Sequence, residues 1–255
     1  MIASRIIGHR GAAALAPENT LAGIRMAAEC GVRWVELDIT LLGDETPVLC
    51  HDDELDRCTN QSGPLSFLSA IDLPKLDAGV WFDGSWANEP MPHLSDALLL
   101  CQELELGLNL EIKPHGIDAN IIARKVFEEI SVYWHQPEKL IISCYEQEVL
   151  SAYRSFDLFA QLGLLFDHLP DLWLLKAQAL QAVSIHCDCQ LIDQDEIKQV
   201  KQSGYDLYCY TCNDTALGKH LIESGVDGIF TDNPTLFNSD EFRGHLQSQS
   251  SGQPA

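Results

Sequence analysis

The residues best suited to chemistry in this sequence are carboxylates in short, regularly spaced pairs. Glu36 and Asp38 lie two residues apart, and Glu111 lies two residues before Lys113. In an extended strand, side chains two residues apart point to the same face. Like charges held that close destabilise one another unless a proton or a cation intervenes. Oxygen-only ligands suit a hard cation, Mg²⁺ or Ca²⁺, better than zinc.

The same acids have a second interpretation that needs no metal. Arg10 and Lys113 could pair with them in a ring of salt bridges, and the residues alone favour neither interpretation over the other. In both cases Arg10 and Lys113 supply positive charge at the site. This charge favours an anionic substrate, and phosphate most of all.

Two histidines are the candidates for proton transfer. His9 follows the first apolar run of the chain, and His51 follows a short apolar run after Asp38. Two imidazoles beside a carboxylate cluster can act as general base and general acid near neutral pH. We interpret the other seven histidines as ordinary hydrogen-bonding residues.

The elements that would position these residues alternate between short β-rich runs and longer helical patterns. The eight main predicted strands are Arg5–Gly8, Trp34–Thr40, Leu108–Ile112, Leu140–Cys144, Phe159–Leu165, Val183–Cys187, Asp206–Tyr210 and Gly228–Phe230, and Pro47–Cys50 is a hairpin-like return. The predicted helices are Glu18–Cys30, Leu94–Leu106, Ala119–Ile130, Gln147–Phe156, Leu172–Leu180, Asp195–Gln202 and Thr215–Glu223. Strands that alternate with helices indicate a parallel sheet.

Eight strand–helix units in a chain of 255 residues predict an α/β fold of the TIM (β/α)8 barrel type. A doubly wound open sheet is the alternative. In a barrel, functional side chains gather at the carboxyl ends of the strands. The candidate residues fall at those ends in the predicted strands, so the barrel would bring them together.

One segment, at about residues 53–92, breaks this alternation and contains many glycines and prolines. We interpret it as a small subdomain inserted after the second strand unit. Trp81, Phe82 and Trp86 are expected to form its core, and Phe82 is the one expected to line the pocket. We therefore predict one barrel domain over residues 1–243, including the insertion, and a disordered tail over residues 244–255.

The charge balance excludes several classes of function. The chain has 16 Lys+Arg and 38 Asp+Glu, for a net charge of −22. This charge repels nucleic acid and anionic membranes, so we expect neither nucleic-acid binding nor stable membrane association. No apolar run approaches the ~20 residues that span a bilayer, and no signal-like segment opens the chain, so we expect a cytoplasmic protein.

The nine cysteines are scattered and odd in number, which is typical of reduced thiols. Cys187-x-Cys189 and Cys209-x₂-Cys212 have spacings that a zinc site could use. Both pairs lie on or beside predicted strands, where small apolar packing is the favoured interpretation.

A series of short motifs runs along the chain from His9 to about Phe237. The motifs are His9-Arg10-Gly11, Pro17-Glu18-Asn19-Thr20, Glu36-x-Asp38, His51-Asp52, Asp56-Arg57, Glu111-x-Lys113 and Gly228-Ile229-Phe230-Thr231-Asp232-x-Pro234. In type and in order, these motifs resemble those of the glycerophosphodiester phosphodiesterase family.

The resemblance implies a TIM barrel that hydrolyses glycerophosphodiesters to sn-glycerol 3-phosphate and an alcohol. It implies one divalent cation, Mg²⁺ or Ca²⁺, bound by carboxylates. It also implies that two basic side chains contact the phosphate. The implied roles are Glu36, Asp38 and Glu111 as metal ligands, His9 and His51 as the acid/base pair, and Arg10 and Lys113 as phosphate-binding residues. In the strand near the carboxyl terminus, Tyr210 replaces the Trp of the family pattern and Asn213 is retained; both are expected substrate contacts.

Other functions stay open at this point. A lysophospholipase-D-like phosphodiesterase would use the same two histidines and three acids. A catalytically inactive barrel that binds a phosphorylated metabolite is the alternative from another class. The preferred alcohol, the choice between Mg²⁺ and Ca²⁺, and the role of each histidine are left undetermined, and a homodimer is expected only on base rates.

Overall fold

The computed structural model describes residues 2, 4–237 and 242. Its β-structure in that part of the chain consists of β1 (Ile6–Gly8), β2 (Trp34–Leu41), β3 (Pro47–Leu49), β4 (Gly107–Ile112), β5 (Leu140–Cys144), β6 (Leu162–Phe166), β7 (Ser184–Asp188), β8 (Asp206–Tyr210) and β9 (Gly228–Thr231). All of these except β3 are parallel to their neighbours. β3 returns antiparallel to β2, as the hairpin-like pattern predicts.

The parallel strands close into a barrel. β1 pairs with β9 on one side and with β2 on the other, where Gly8 lies opposite Val35. This second pairing joins the two ends of the run of parallel strands, and β3 extends β2 outside that ring. The predicted TIM barrel is therefore confirmed, and the alternative of an open, doubly wound sheet is wrong.

Helices cover the outside of the barrel. Their ranges are α1 (Leu21–Glu29), α2 (Leu94–Glu103), α3 (Ala119–Tyr133), α4 (Gln147–Phe156), α5 (Trp173–Leu180), α6 (Gln194–Gln202) and α7 (Thr215–Ser224). Several begin at an oxygen-bearing cap: the Thr20 hydroxyl accepts from the backbone N–H of Gly23, and Asp193 forms a capping box with Glu196. In the part of the chain described here, none of these helices combines the length and the apolarity needed to cross a membrane.

Alternation along β2 explains how the core and the candidate site are separated. Val35, Leu37 and Ile39 belong to the large apolar cluster between the barrel and its helices. Glu36 and Asp38 take the intervening positions and line the barrel interior. Beneath them, a second set of side chains, among them Trp34 and Phe230, fills the interior of the barrel.

Residues 53–92 hold three short 3₁₀ helices, Leu65–Phe67, Ala70–Lys75 and Gly84–Trp86. A separate buried cluster packs there, formed mainly by aliphatic residues of this segment and of the β2–β3 hairpin. The expectation that Trp81, Phe82 and Trp86 form this core is wrong, because all three are only half-buried. Leucine and methionine side chains fill the small space between the short helices, and the large rings lie at its margin.

Element boundaries differ from the sequence pattern by a few residues. The strand predicted from Phe159 begins instead at Leu162, because the Phe159 side chain is 92% exposed. The predicted tail, residues 244–255, lies outside the described residues.

Candidate active site

A cavity of about 120 Å³ opens among the carboxyl ends of the barrel strands. Eight of the ten predicted site residues line it: His9, Arg10, Glu36, Asp38, His51, Glu111, Lys113 and Tyr210. The barrel thus brings together residues that are up to 201 positions apart in the chain (210 − 9). Phe82 and Asn213 are not among its lining residues.

Three carboxylates form the floor of this cavity. Glu36 and Asp38 come from β2 and Glu111 comes from β4, where it lies directly opposite Asp38. All three are buried, and one oxygen from each lies within 4.8 Å of the others. Within the described part of the chain, no other cluster of histidine, cysteine or acidic residues has such a geometry.

The carboxylate charges are strongly perturbed by this environment. Burial, followed by the charges of Asp38 and Glu111, raises the pKa of Glu36 well above its ordinary value. Burial and the Asp38 charge raise the pKa of Glu111 to about 7. Asp38 behaves differently: burial alone would raise its pKa, but Lys113 and Arg10 lower it. Keeping these buried carboxylates ionised therefore costs free energy, which a bound cation would offset.

Two cations pair with part of this cluster. Lys113 Nζ lies 3.4 Å from Asp38 Oδ1 and also contacts Glu111, and Arg10 Nε lies 3.3 Å from Asp38 Oδ2. Glu36 forms no ion pair with the side chain of either cation in this ring of ion pairs. Its Oε2 accepts from the backbone N–H of Arg10 at 2.8 Å, whereas its buried Oε1 has no hydrogen-bond partner. The ring of ion pairs therefore exists, but it leaves Glu36 Oε1 with neither an ion-pair nor a hydrogen-bond partner, and a divalent cation fits that need.

The backbone conformation of the turn after β1 directs this turn toward the three carboxylates. Arg10 and Gly11 adopt positive φ angles of 49° and 88°. A Cβ on Gly11 would lie 2.6 Å from the backbone carbon of Gly23, so only glycine fits this close approach. The resulting turn directs the Arg10 N–H at Glu36.

Asn19 fixes the second acid. Its side-chain N–H donates to Asp38 Oδ2 at 2.8 Å, and its Oδ1 accepts from the Asp38 backbone N–H at 2.9 Å. Both contacts are buried. The amide therefore holds the carboxylate in one orientation, which explains the Asn in the Pro17–Thr20 motif.

Each candidate histidine is held by an aspartate. His9 Nδ1 lies 2.6 Å from Asp232 Oδ1, and His51 Nδ1 lies 2.7 Å from Asp52 Oδ1. An ionised carboxylate only accepts hydrogen bonds, so Nδ1 is the donor in each pair. This assignment leaves Nε2 of each neutral ring as the nitrogen able to accept a proton. Burial lowers the pKa of His51, although Asp38 acts in the opposite direction.

The side chain of Asn213 holds Asp232 in place. Asn213 Nδ2 donates to Asp232 Oδ2 at 2.6 Å, while Asn213 Oδ1 accepts from Thr231 Oγ1 and from the Asp232 backbone N–H. Asn213 therefore supports the partner of His9 and does not itself line the cavity. Phe82 lies in the insertion with its ring in edge contact with Trp81, at a centroid distance of 5.6 Å.

One wall of the cavity is aromatic and is formed by Tyr145 and Tyr210. The Tyr145 hydroxyl is hydrogen-bonded to that of Tyr210, and it lies 3.0 Å from Asp167 Oδ1. Tyr210 also donates to the backbone oxygen of Phe166 at 2.9 Å. These hydrogen bonds fix the hydroxyl ends of the two rings that form this aromatic wall.

Sequence reasoning left several lining or supporting residues unassigned. Asp232 directly follows β9, and Asp52 lies three residues after the end of β3 beside His51; these positions were a usable signal for both. Tyr145, Asn109 and His186 also line the cavity, and no local pattern marked them. Asn109 is buried and donates to Ser143 at 3.0 Å, while its own Oδ1 has no partner.

The cysteine pairs form no part of the site. The thiols of Cys187, Cys189, Cys209 and Cys212 are free and buried in the large apolar cluster. The zinc interpretation has no support in the described residues, because the three-acid cluster is the one candidate metal group found there. Small apolar packing accounts for the four side chains.

Comparison with known proteins gives a consistent picture. Residues 9–236 match the model of the glycerophosphoryl diester phosphodiesterase family. A glycerophosphodiester phosphodiesterase of Caldanaerobacter subterraneus subsp. tengcongensis is 32% identical over 235 residues, which cover 91% of this chain and 96% of that protein.

Solved structures agree with this match. A phosphodiesterase of Oleispira antarctica, in complex with the product sn-glycerol 3-phosphate, is 30% identical, with a TM-score of 0.88 over 91% of this chain and 94% of that one. A glycerophosphodiester phosphodiesterase of Agrobacterium tumefaciens is 26% identical, with a TM-score of 0.76 over 92% of this chain and 98% of that one.

Proposed function

Because the chain belongs to the glycerophosphoryl diester phosphodiesterase family, we propose that it hydrolyses glycerophosphodiesters to sn-glycerol 3-phosphate and an alcohol, using one divalent cation and two histidines. The product named for the Oleispira antarctica relative supports this substrate class. The finer parts of the proposal, the cation and the histidine roles, are supported by the contacts around the cavity.

Glu36, Asp38 and Glu111 would hold the cation, which is Mg²⁺ or Ca²⁺ because all three ligands are carboxylates. The unpartnered Glu36 Oε1 is the observation that carries this assignment. When bound, the cation would offset the negative charge of the phosphodiester and favour attack on phosphorus.

Arg10 and Lys113 are the proposed phosphate-binding residues. Both side chains line the cavity beside the acids, and each is mostly buried. Fixed positive charge in a site that excludes water stabilises the charge that develops on the phosphoryl oxygens. Tyr210 is proposed to contact the organic part of the substrate, as one side of the aromatic wall.

His9 and His51 are the proposed acid/base pair. One removes a proton from the attacking oxygen at its Nε2, and the other protonates the leaving alkoxide. We assign leaving-group protonation to His51. Positioned groups of this kind contribute typically about 10²–10⁴-fold to the rate.

The test is the release of sn-glycerol 3-phosphate from glycerophosphocholine and glycerophosphoethanolamine. It is run with Mg²⁺, with Ca²⁺ and with EDTA, on the wild type and on His9→Ala and Glu36→Ala. His220→Ala and Glu129→Gln are controls, since neither residue lines the cavity. We expect cation-dependent turnover that both site variants lose and both controls keep.

Other outcomes would identify a different function. Turnover of lysophosphatidylcholine in place of these diesters would favour the lysophospholipase-D-like alternative. Binding of sn-glycerol 3-phosphate without turnover of any diester, unchanged in His9→Ala, would favour the inactive binding barrel. Turnover in EDTA after exhaustive metal removal would contradict the proposed requirement for a divalent cation.

Two further proposals concern the protein as a whole. All nine cysteines are free, which supports a cytoplasmic location, where thiols stay reduced. A homodimer is also proposed, and light scattering on the purified protein would test it.

A further inference from the structure

A guanidinium outside the cavity joins two carboxylates that each serve the site. Arg57 Nε and Nη2 donate to Asp52 Oδ2 and Oδ1 at 2.7 and 3.0 Å. Its Nη1 and Nη2 donate to Glu18 Oε2 and Oε1 at 2.6 and 2.8 Å. Both contacts are therefore of the paired, fork-like type that arginine forms with a carboxylate.

Each of these carboxylates has a second partner at the cavity. Asp52 Oδ1 accepts from His51 Nδ1 at 2.7 Å. Glu18 Oε1 accepts from Arg10 Nη1 at 2.8 Å. A continuous line of hydrogen-bonded charges thus runs from Arg10 through Glu18, Arg57 and Asp52 to His51.

We propose that Arg57 is a positioning residue that holds Asp52 against His51, with Glu18 as its second anchor. This inference rests on the proposed function, in which His51 protonates the leaving alkoxide and Arg10 binds phosphate. Arg57 does not line the cavity and is not expected to touch substrate.

The physical reason lies in the exposure of Asp52. Its side chain is 28% exposed, so without Arg57 the carboxylate is free to rotate toward water. The Asp52 pKa lies far below its ordinary range, chiefly because of the hydrogen bonds from Arg57. His51 Nδ1 would then lose the acceptor that fixes both its tautomer and the direction of Nε2, on which proton transfer depends.

The test uses two substrates that differ in their leaving group. Glycerophosphocholine releases an alkoxide that needs a proton, whereas the p-nitrophenyl diester of glycerophosphate releases a stable phenolate that does not. Arg57→Gln should lower kcat for the choline diester by about 10-fold or more, within the range of a positioned acid, and for the p-nitrophenyl diester by less than about 3-fold. A purely structural defect would lower both rates equally.

Arg124→Gln is the matched control. Arg124 has a side chain 43% exposed, compared with 44% for Arg57, and it also pairs with two carboxylates, Glu45 and Glu128. It lies on α3, outside the cavity lining, so both rates should stay at the wild-type value. Thermal denaturation of each variant confirms that the protein compared is folded; if Arg57→Gln does not fold, Arg57→Lys takes its place, because a lysine cannot form both forks.

A double-variant cycle separates action through Asp52 from an independent effect. Asp52→Asn should reduce the choline rate by at least as much as Arg57→Gln, and the combined variant should be no slower than Asp52→Asn alone. The inference would be overturned if the losses of kcat in the two single variants multiplied in the combined variant. It would also be overturned if Arg57→Gln had the same rate as Arg124→Gln. Absence of turnover in the wild type would instead refute the proposed function, so the two failures are distinguishable.

Discussion

Replacement of Glu36 by Gln should stabilise the metal-free protein and at the same time remove its stabilisation by divalent cations. Glu36 is buried with one oxygen unpartnered, and oxygens of Asp38 and Glu111 lie within 4.8 Å. Glutamine keeps an acceptor for the Arg10 N–H but carries no charge. The substitution therefore removes repulsion without removing the hydrogen bond.

The magnitude follows from the separation of the carboxylate charges. Two unit charges 4.8 Å apart repel by about 3 kcal/mol at an effective dielectric constant of about 20. Proton uptake by Glu36 already relieves part of this cost, so we expect a gain of about 1–3 kcal/mol in the free energy of unfolding, or roughly 3–8 °C in Tm.

The pH dependence has a definite sign. Glu36 and Glu111 have pKa values above their unfolded values, so the folded state binds more protons. Their contribution to stability is fully present below pH 4.5 and is lost as the pH rises through about 7 for Glu111. His51 acts in the opposite sense, since its pKa is lowered. The advantage of Glu36→Gln over the wild type should therefore widen between pH 5 and pH 8.

The assay is thermal denaturation of metal-free protein, with and without Mg²⁺ or Ca²⁺, beside Glu129→Gln as an acid-to-amide control outside the cavity. A cation at 100 times its Kd should stabilise the wild type and the control by about 2.7 kcal/mol and should leave Glu36→Gln nearly unchanged. A lower Tm of metal-free Glu36→Gln, or equal stabilisation of all three proteins by the cation, would refute the reasoning.

Two further predictions concern the histidine support and the barrel interior. Asp232→Asn should lower kcat by about 10²-fold, because His9 Nδ1 loses its charged acceptor at 2.6 Å; steady-state kinetics would measure this, and a change below about 3-fold would contradict it. Gly107→Ala should lower Tm, because a Cβ there would lie 2.3 Å from the ring of Trp34. Gly84→Ala is the control, because a Cβ there meets no atom within 4 Å, and it should leave Tm nearly unchanged. Differential scanning calorimetry of both variants would measure the two Tm values.

Much of the fold could be predicted because the barrel repeats a local pattern. β5, α4 and β8 have the predicted boundaries, since their apolar residues follow the period of a strand or a helix without interruption. The error at Phe159 has the same origin: an exposed phenylalanine beside a true strand extends the apolar pattern. Periodicity records which residues are apolar and does not record which of them the fold buries.

The insertion was harder to predict for a related reason. Residues 53–92 form 3₁₀ helices of three to six residues, which are too short to leave a period in the sequence. The core of this segment depends on how its loops fold against the β2–β3 hairpin. Aromatic residues drew attention in the sequence, yet aliphatic side chains fill the interior.

The closed barrel was predicted from the sequence, but only the pairing of β1 with β2 excluded an open sheet. The sequence by itself determined the alternation of strands and helices, the chemical types at the strand ends and the family resemblance, because strand periodicity and motif spacing are local properties. Only the tertiary structure decided how these groups are partnered. Closure of the barrel places Asp232 against His9, 223 residues away, and pairs Lys113 with Asp38 while leaving Glu36 Oε1 unsatisfied. Hydrogen bonds and desolvation depend on distances of a few ångströms between remote segments, and no local pattern encodes those distances.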